Sequence, residues 1–579
     1  MQGGNDRSRY LWLALALVTA LAYLWGLDGI YIPKFGDEMV YAHIARLTAE
    51  SGHWLPLQSD IPNMRNTKPP LLFWQAMVAG QWGADWRLAA LRLPSVIYTW
   101  GTAVMVVLLA AKLWSERQAA GAWTAGCIAA TVFLLFFSTV RYNRTYLTSG
   151  PETFWLFGVM AAVAWAPARL LASRLWFPLL AGIAIAVGCL YKSFVMAGPV
   201  GLALFLCHVL AVPAGARPRT GLRHLAVSAF TSGLSVALAV GVFSLWLVID
   251  PSPGDVWREF VMGENMGKMN KGTSYLAKAL SGTDGVWVIL TACLSNAGAL
   301  LPVVLGAAIA AFLKVRSAAS GDASRGPAMS QGEKVLWIWI AALTLFFLVP
   351  SQRTTRYLVP AMPAVAILVA LYWPRIHRGW FMATAALSLA TIAVLGIAAW
   401  GGTRATGDAA LYAPAFWAML AFMAVAGIAV FASRLLAPAA SLVTALGAFA
   451  ALTGLYAPFN ASLGQFEPRV VAQLQGKLVA VANQFNGQSE RYRFLLPGVA
   501  VKPVEAPATR TDQDLARLFA VAPLALVTRW PGDAPCQGCR VIASRWEPAS
   551  RPGGRPLDAL LHPGNFWFAR EYLVERPAP

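Results

Sequence analysis

The sequence predicts an α-helical polytopic membrane protein that ends in a small soluble α/β domain. Of its 579 residues, 58% are hydrophobic and only 13% are charged, too apolar a balance for an ordinary soluble chain. Apolar stretches of about 20 residues, each long enough to cross roughly 30 Å of hydrocarbon, recur from Tyr10 to about Pro458. The tail beyond them, about 120 residues, has mixed patterning and enough length for a small domain. The expected division is therefore 1–458 for the membrane part and 459–579 for the soluble part.

Roughly thirteen spans are legible by the length criterion: 10–27, 90–111, 119–139, 153–167, 175–190, 194–212, 225–249, 285–313, 335–350, 357–373, 380–400, 414–432 and 439–457. Arg7 and Arg9 precede the first, which is long and lacks a small-residue cleavage site, so it reads as a retained anchor. With the N-terminus cytoplasmic, one side collects Lys112, Arg117, Arg169, Arg174, Arg217, Arg219, Arg223, Lys314, Arg316, Arg325, Lys334, Arg375, Arg378 and Arg434. That asymmetry follows the positive-inside rule. It assigns the formal charge of +19 to topology and anionic lipid, not to nucleic acid. The soluble tail then falls on the far side.

The far side has the chemistry. Its first loop, Asp28 to about Arg87, contains DEMVYAHIARLTAESG, with Val40, Ile44 and Leu47 at helical spacing, and PPLLFWQAMVAGQWG, which Pro69 opens. Both read as amphipathic helices on the membrane surface or packed against the bundle. RYNRTYLTSGPE (141–152), YKS (191–193), the loop 250–284 and SQRTTRY (351–357) alternate onto the same side. In the tail, RVVAQLQGKLVAVANQF is expected as a helix and RYRFLLPG, LALVTRW and RVIASRW as strands.

Four features on that side invite a ligand. Asp37 and Glu38 begin a helix, where an acid also suits the dipole. Lys68 precedes a proline-started helix, a poor place for a cation unless an anion joins it. Arg353, Arg356 and Tyr357 stand where a span re-enters the bilayer, and guanidinium suits phosphate; snorkelling to headgroups is the bland alternative. Lys192 lies near membrane depth, with the same alternative. Carboxylates and cations beside a membrane fit a lipid phosphate whose head is worked on at the surface. No Walker motif or dinucleotide fingerprint is present.

The order DE…YAHIAR…KPPLLFW…YKS…RTTRYLVPAMP resembles the GT-C superfamily of polyprenyl-phosphate-dependent glycosyltransferases, and within it the 4-amino-4-deoxy-L-arabinose lipid A transferases. Asp37, Glu38, Tyr41, Ala42, Ile44, Arg46, Lys68 and Pro69 match the first-loop pattern, and Arg353 with Tyr357 stand for its lysine-to-tyrosine motif. The family aspartate after the third span is Gly150 here, with Glu152 the nearest acid, and the Arg-Tyr that follows the carboxylates is Val40-Tyr41.

The resemblance implies transfer of aminoarabinose from undecaprenyl phosphate to a phosphate of lipid A in lipopolysaccharide, on the periplasmic face of a bacterial inner membrane. It implies Asp37, Glu38 and Glu152 as catalytic carboxylates. Lys68, Arg353, Arg356, Tyr357, Lys192 and Lys268 would hold the donor phosphate, and Tyr41, Glu264, Asn265, Arg141 and Arg144 would contact substrate. A divalent metal has room beside the carboxylates, but so many fixed cations make an essential cofactor unexpected. A protein O-mannosyltransferase would share Asp37 and need it as a base. A transporter would place charges near the midplane, often in internal repeats; here they cluster at one edge. Cys127, Cys189, Cys207 and Cys293 sit singly in apolar runs, whereas Cys536 and Cys539, in PCQGCR, suit a small disulfide.

Overall fold

The computed structural model describes residues 3–32, 36–61, 63–118, 120–210, 221–268, 279–280, 283–319, 329–483, 488–505, 512–549, 551 and 556–576. It is a multi-pass helical bundle capped at one end by a five-stranded sheet. Among the described residues, seven helices are long and apolar enough to cross a membrane: 88–115, 222–249, 292–316, 355–375, 378–406, 414–432 and 437–460. The other six expected spans coincide with shorter apolar helices, among them Ala122–Leu135 and Trp176–Tyr191, so length and composition alone support seven crossings. Neighbouring helices approach closely where residues are small, since bilayer helices associate through packing.

Four elements place the site. Helix α1 (Gly3–Leu21) crosses the bundle, and the chain then enters α2 (Gly36–Glu50) and α3 (Pro70–Ala79). Helix α4 (Leu88–Ser115) leads back across. Helix α2 packs against the bundle, a placement compatible with its lying along the membrane surface. Residues 38–45 are all buried, because the bundle closes one side and the sheet domain the other. Trp54 stacks edge-on against Trp74 and Trp82, an aromatic cluster at the entrance to this layer.

The sheet has the order β2-β1-β3-β5-β4. Strands β1 (Leu478–Asn483), β2 (Ala500–Glu505) and β3 (Leu524–Arg529) run parallel. Strands β4 (Arg540–Pro548) and β5 (Phe568–Glu575) complete it antiparallel, with a register shift between Val541 and Ala543. Val479, Val481, Leu524, Leu526 and Leu573 fill one face, each contributing about 1.5–3 kcal/mol on full burial.

Two tail expectations fail. RVVAQLQGKLVAVANQF is not one helix: the helical turn ends at Gln473, Gly476 takes φ +74°, and LVAVAN is β1. The left-handed glycine stops the helix, and the alternation that follows suits a strand. RYRFLLPG begins as the short helix Arg491–Leu495, which buries Tyr492 and Leu495 before the proline.

The sheet is keyed to the bundle by aromatic and charged contacts. Phe568 stacks on Phe459 at 5.2 Å between ring centroids. Arg545, fully buried, donates to Glu571 at 2.7 Å and to the Tyr31 hydroxyl.

Candidate active site

A cavity of about 430 Å³ opens at the membrane edge where α2 and α3 meet the start of helix 355–375. Asp37, Tyr41, Lys68, Lys192, Glu264, Asn265, Arg356 and Tyr357 line its polar end. Phe194, Met196, Phe346, Phe347, Val349 and Pro350 line an apolar flank. A polar head with an attached hydrocarbon chain matches both surfaces.

Asp37 sits in the first turn of α2, where the helix dipole favours an acid. Its Oδ2 accepts from Arg356 Nη1 at 2.9 Å, and its side chain is 43% exposed against 15% for the arginine. The carboxylate therefore faces the cavity while the guanidinium backs it. Arg356 also donates from Nε to Ser149 Oγ at 3.2 Å and from Nη2 to Thr148 Oγ1 at 3.4 Å, and lies over the Tyr142 ring. Four neighbours thus hold it in one orientation.

Lys68 Nζ reaches Glu264 Oε1 at 2.6 Å and the Thr67 carbonyl at 2.7 Å, 5.8 Å from the centre of the Tyr41 ring. Lys192 Nζ donates to both oxygens of buried Glu152 at 2.9 Å and lies 5.6 Å from the centre of the Tyr357 ring. Tyr357 stacks on Phe347 at 4.6 Å. Asn265 Oδ1 accepts from Ser193 Oγ at 2.6 Å, and its amide donates to the Phe260 carbonyl. Burial, and then the Asp37 carboxylate, push the Tyr41 phenol well above its ordinary pKa, so it remains an O–H donor.

Other expected site residues lie elsewhere. Glu38 is fully buried and gives both oxygens to Arg92, at 2.7 and 2.8 Å, while Oε1 also accepts the Tyr146 N–H. Arg92 in turn donates to the carbonyls of Leu27 and Gly29. Glu38 therefore fixes α2 to α4 and does not line the cavity. Arg353 is also buried and clasps the carbonyls of Leu348 and Asp284, so the cation at the cavity is Arg356, three residues on. Arg144 ties the Tyr23 carbonyl to the rings and hydroxyls around Thr453 and Phe449. Arg141 lies over the rings of Phe137 and Tyr142. Lys268 ends the short turn Met266–Lys268, whose first residue lines the cavity, and its side chain lies outside the described residues.

At Gly150 the backbone approaches α4 closely: a Cβ there would lie 3.1 Å from the Ser95 carbonyl oxygen, tighter than ordinary van der Waals contact. Glu152, two residues on, is the nearest acid, and it is buried with both oxygens on Lys192. Thr148, Ser149 and Arg92 carried no signal in the sequence beyond their neighbourhood, because their roles come from partners far along the chain. Among the described residues, no three His, Cys, Asp or Glu side chains gather as a metal site. Cys536 and Cys539 are joined as a disulfide in the loop between β3 and β4.

No family model matches the chain. An enzyme named undecaprenyl phosphate-alpha-4-amino-4-deoxy-L-arabinose arabinosyl transferase 2, from Proteus mirabilis, is 24% identical over 384 residues, 64% of this chain and 60% of that protein. The arabinosyl transferase of Pseudomonas savastanoi is 28% identical over 265 residues, 45% of each chain. The alignments thus span no more than about 60% of these relatives' length. The crystal structure of ArnT from Cupriavidus metallidurans bound to undecaprenyl phosphate matches over 97% of this chain and 98% of that one, with a TM-score of 0.58 and 17% identity. Its apo form gives a TM-score of 0.55. The chain is thus a sequence relative of the aminoarabinosyl transferases, and it has the GT-C fold of ArnT.

Proposed function

We propose that the protein is a membrane glycosyltransferase that moves 4-amino-4-deoxy-L-arabinose from undecaprenyl phosphate to a phosphate of lipid A. The reading places residues 1–458 in the bacterial inner membrane with the N-terminus cytoplasmic, and 459–579 in the periplasm. The added amine would lower the negative charge of lipopolysaccharide and so give resistance to polymyxin and similar cationic peptides. The observation that supports it most is the Asp37–Arg356 pair at one end of a cavity that holds Lys68 and Lys192 beside an apolar flank.

The acceptor phosphate oxygen attacks the anomeric carbon of the sugar. The bond from that carbon to the donor phosphate breaks, and its electron pair leaves with undecaprenyl phosphate. The acceptor is already ionised, so Asp37 need not remove a proton. It orients the acceptor and stabilises positive charge developing at the sugar. Lys68, Lys192, Arg356 and Tyr357 neutralise the departing phosphate, with Lys68 exchanging Glu264 for a phosphate oxygen. Glu264, released from Lys68, and Asn265 stand ready for the sugar amine. The fixed cations carry the charge that a metal would otherwise take.

Reconstitution tests this directly. The protein in liposomes, given undecaprenyl phosphate-linked aminoarabinose and lipid A, is expected to form aminoarabinosyl lipid A without added metal. A sugar attached only to a hydroxyl-bearing peptide would instead favour a protein glycosyltransferase.

A further inference from the structure

A second cation-lined cavity lies at the opposite edge of the membrane. Helix α4 starts beside the candidate site and ends at Ser115 after 28 residues, a length of about 42 Å. Helix 355–375 likewise begins at the site with Arg356 and ends at Arg375. At their far ends Arg117, Lys314 and Arg375 converge with Trp114, Gln118, Leu371 and Pro374 on a cavity of about 190 Å³. Among the described residues its wall contains three cations and no carboxylate.

The cations are held, not loose. Arg117 donates to buried Glu333 and to the Leu371 carbonyl, the latter at 2.9 Å. Lys314 Nζ stands 4.0 Å from Glu333 Oε2. Both cations lie over the Tyr372 ring, at 5.3 and 5.7 Å, and the Tyr372 hydroxyl itself donates to Glu333. One carboxylate thus organises two of the cations behind the cavity and leaves an excess of positive charge toward it. Lys314 is 7% exposed in its side chain, which is unusual for a residue that only snorkels to headgroups.

The adjoining surface indicates the occupant. Trp114 and Gln118 also line a groove of about 470 Å³, whose other walls include Trp12, Ile128, Ala370, Trp373 and Leu436. Trp12 and Trp373 meet edge-on at 6.0 Å, and tryptophan is a residue enriched at membrane–water interfaces. A cationic cavity that opens onto an apolar groove fits a phosphate with an attached acyl chain.

We infer that this edge is a binding site for an anionic phospholipid, with its phosphate among Arg117, Lys314 and Arg375 and an acyl chain in the groove. The inference goes beyond the proposed transfer and does not depend on it. The site would hold the ends of α4, helix 301–319 and helix 355–375 together from the side away from the chemistry.

Native mass spectrometry of the full-length protein in mild detergent tests it, with phosphatidylglycerol and phosphatidylcholine as probes. The expected result is a saturable phosphatidylglycerol adduct that phosphatidylcholine does not replace. Lys314→Gln with Arg375→Gln spares the Arg117–Glu333 pair, and a melting curve checks its fold. This variant should weaken the adduct roughly fivefold per cation removed. Thr124 also lines the groove, and Thr124→Trp, which fills it, should weaken the adduct as well. Equal binding of the two lipids, or full binding by the folded double variant, would overturn the inference. Inorganic phosphate that displaces the adduct and binds Thr124→Trp as well as the native protein would also overturn it, by making this a free-phosphate site.

Discussion

Lys68 is the residue at which binding and chemistry separate most cleanly. Its ammonium pairs with Glu264 in the resting cavity, and the proposed donor replaces that carboxylate. Lys68→Ala is expected to raise the Kd for undecaprenyl phosphate by about tenfold, a typical loss for one charge-assisted contact. Isothermal titration reads this without turnover, and unchanged affinity would remove Lys68 from the donor site. Glu38 behaves differently, because both of its oxygens face a buried arginine. Glu38→Gln should lower stability by roughly 3–5 kcal/mol, as for a broken buried pair. A thermal shift in detergent measures that; a normal melt with abolished transfer would return Glu38 to the catalytic group. The sequence revealed Asp37 and Lys68 because charge beside a bilayer needs a reason. It could not distinguish Arg353 from Arg356 or show that Glu38 turns inward, since Arg92 and Ser149 lie far along the chain.

At the scale of elements, α2 is the piece that connects the sheet domain to the cavity. Its N-terminal turn presents Asp37, and roughly two turns later His43 and Arg46 face Glu490 of the sheet domain. Arg46 Nε donates to Glu490 at 2.7 Å, while His43 stands 2.9 Å from Glu490 and 2.6 Å from Asp60. Burial acts to raise the Glu490 pKa, but hydrogen bonds from His43 and Arg46 outweigh it and hold the group at about 2, below its ordinary 4.5. A depressed folded pKa means that the contact stabilises fully above about pH 4.5 and loses that contribution as pH falls toward about 2. The melting difference between native protein and Glu490→Gln should therefore be large at neutral pH and shrink between pH 4.5 and 3. A constant difference would show that ionisation of Glu490 does not hold the domain. Helix placement was readable because spans are long and apolar. In the tail, Gly476 stops the helix just before Leu478, a local signal, whereas the burial of Tyr492 and Leu495 in the core that makes RYRFL helical depends on residues far along the chain.

Across the whole molecule, the two ends of the bundle differ in chemistry. One carries Asp37 and its cavity; the other carries a basic rim beside an apolar groove. Charge asymmetry between loops made this polarity legible in the sequence, whereas the cavities exist only once distant helix ends meet. On the proposed function, the Asp37 cavity decorates a lipid phosphate with an amino sugar. The most direct measurement is mass spectrometry of lipid A from a Gram-negative strain that lacks its own aminoarabinose transferase, expressing either native protein or Asp37→Asn. A gain of one aminopentose is expected with the native protein, and a fall of about 10²–10³-fold with the variant at equal membrane abundance, as when a transition-state stabilising group is removed. Unmodified lipid A with abundant native protein, or an undiminished signal from Asp37→Asn, would contradict it.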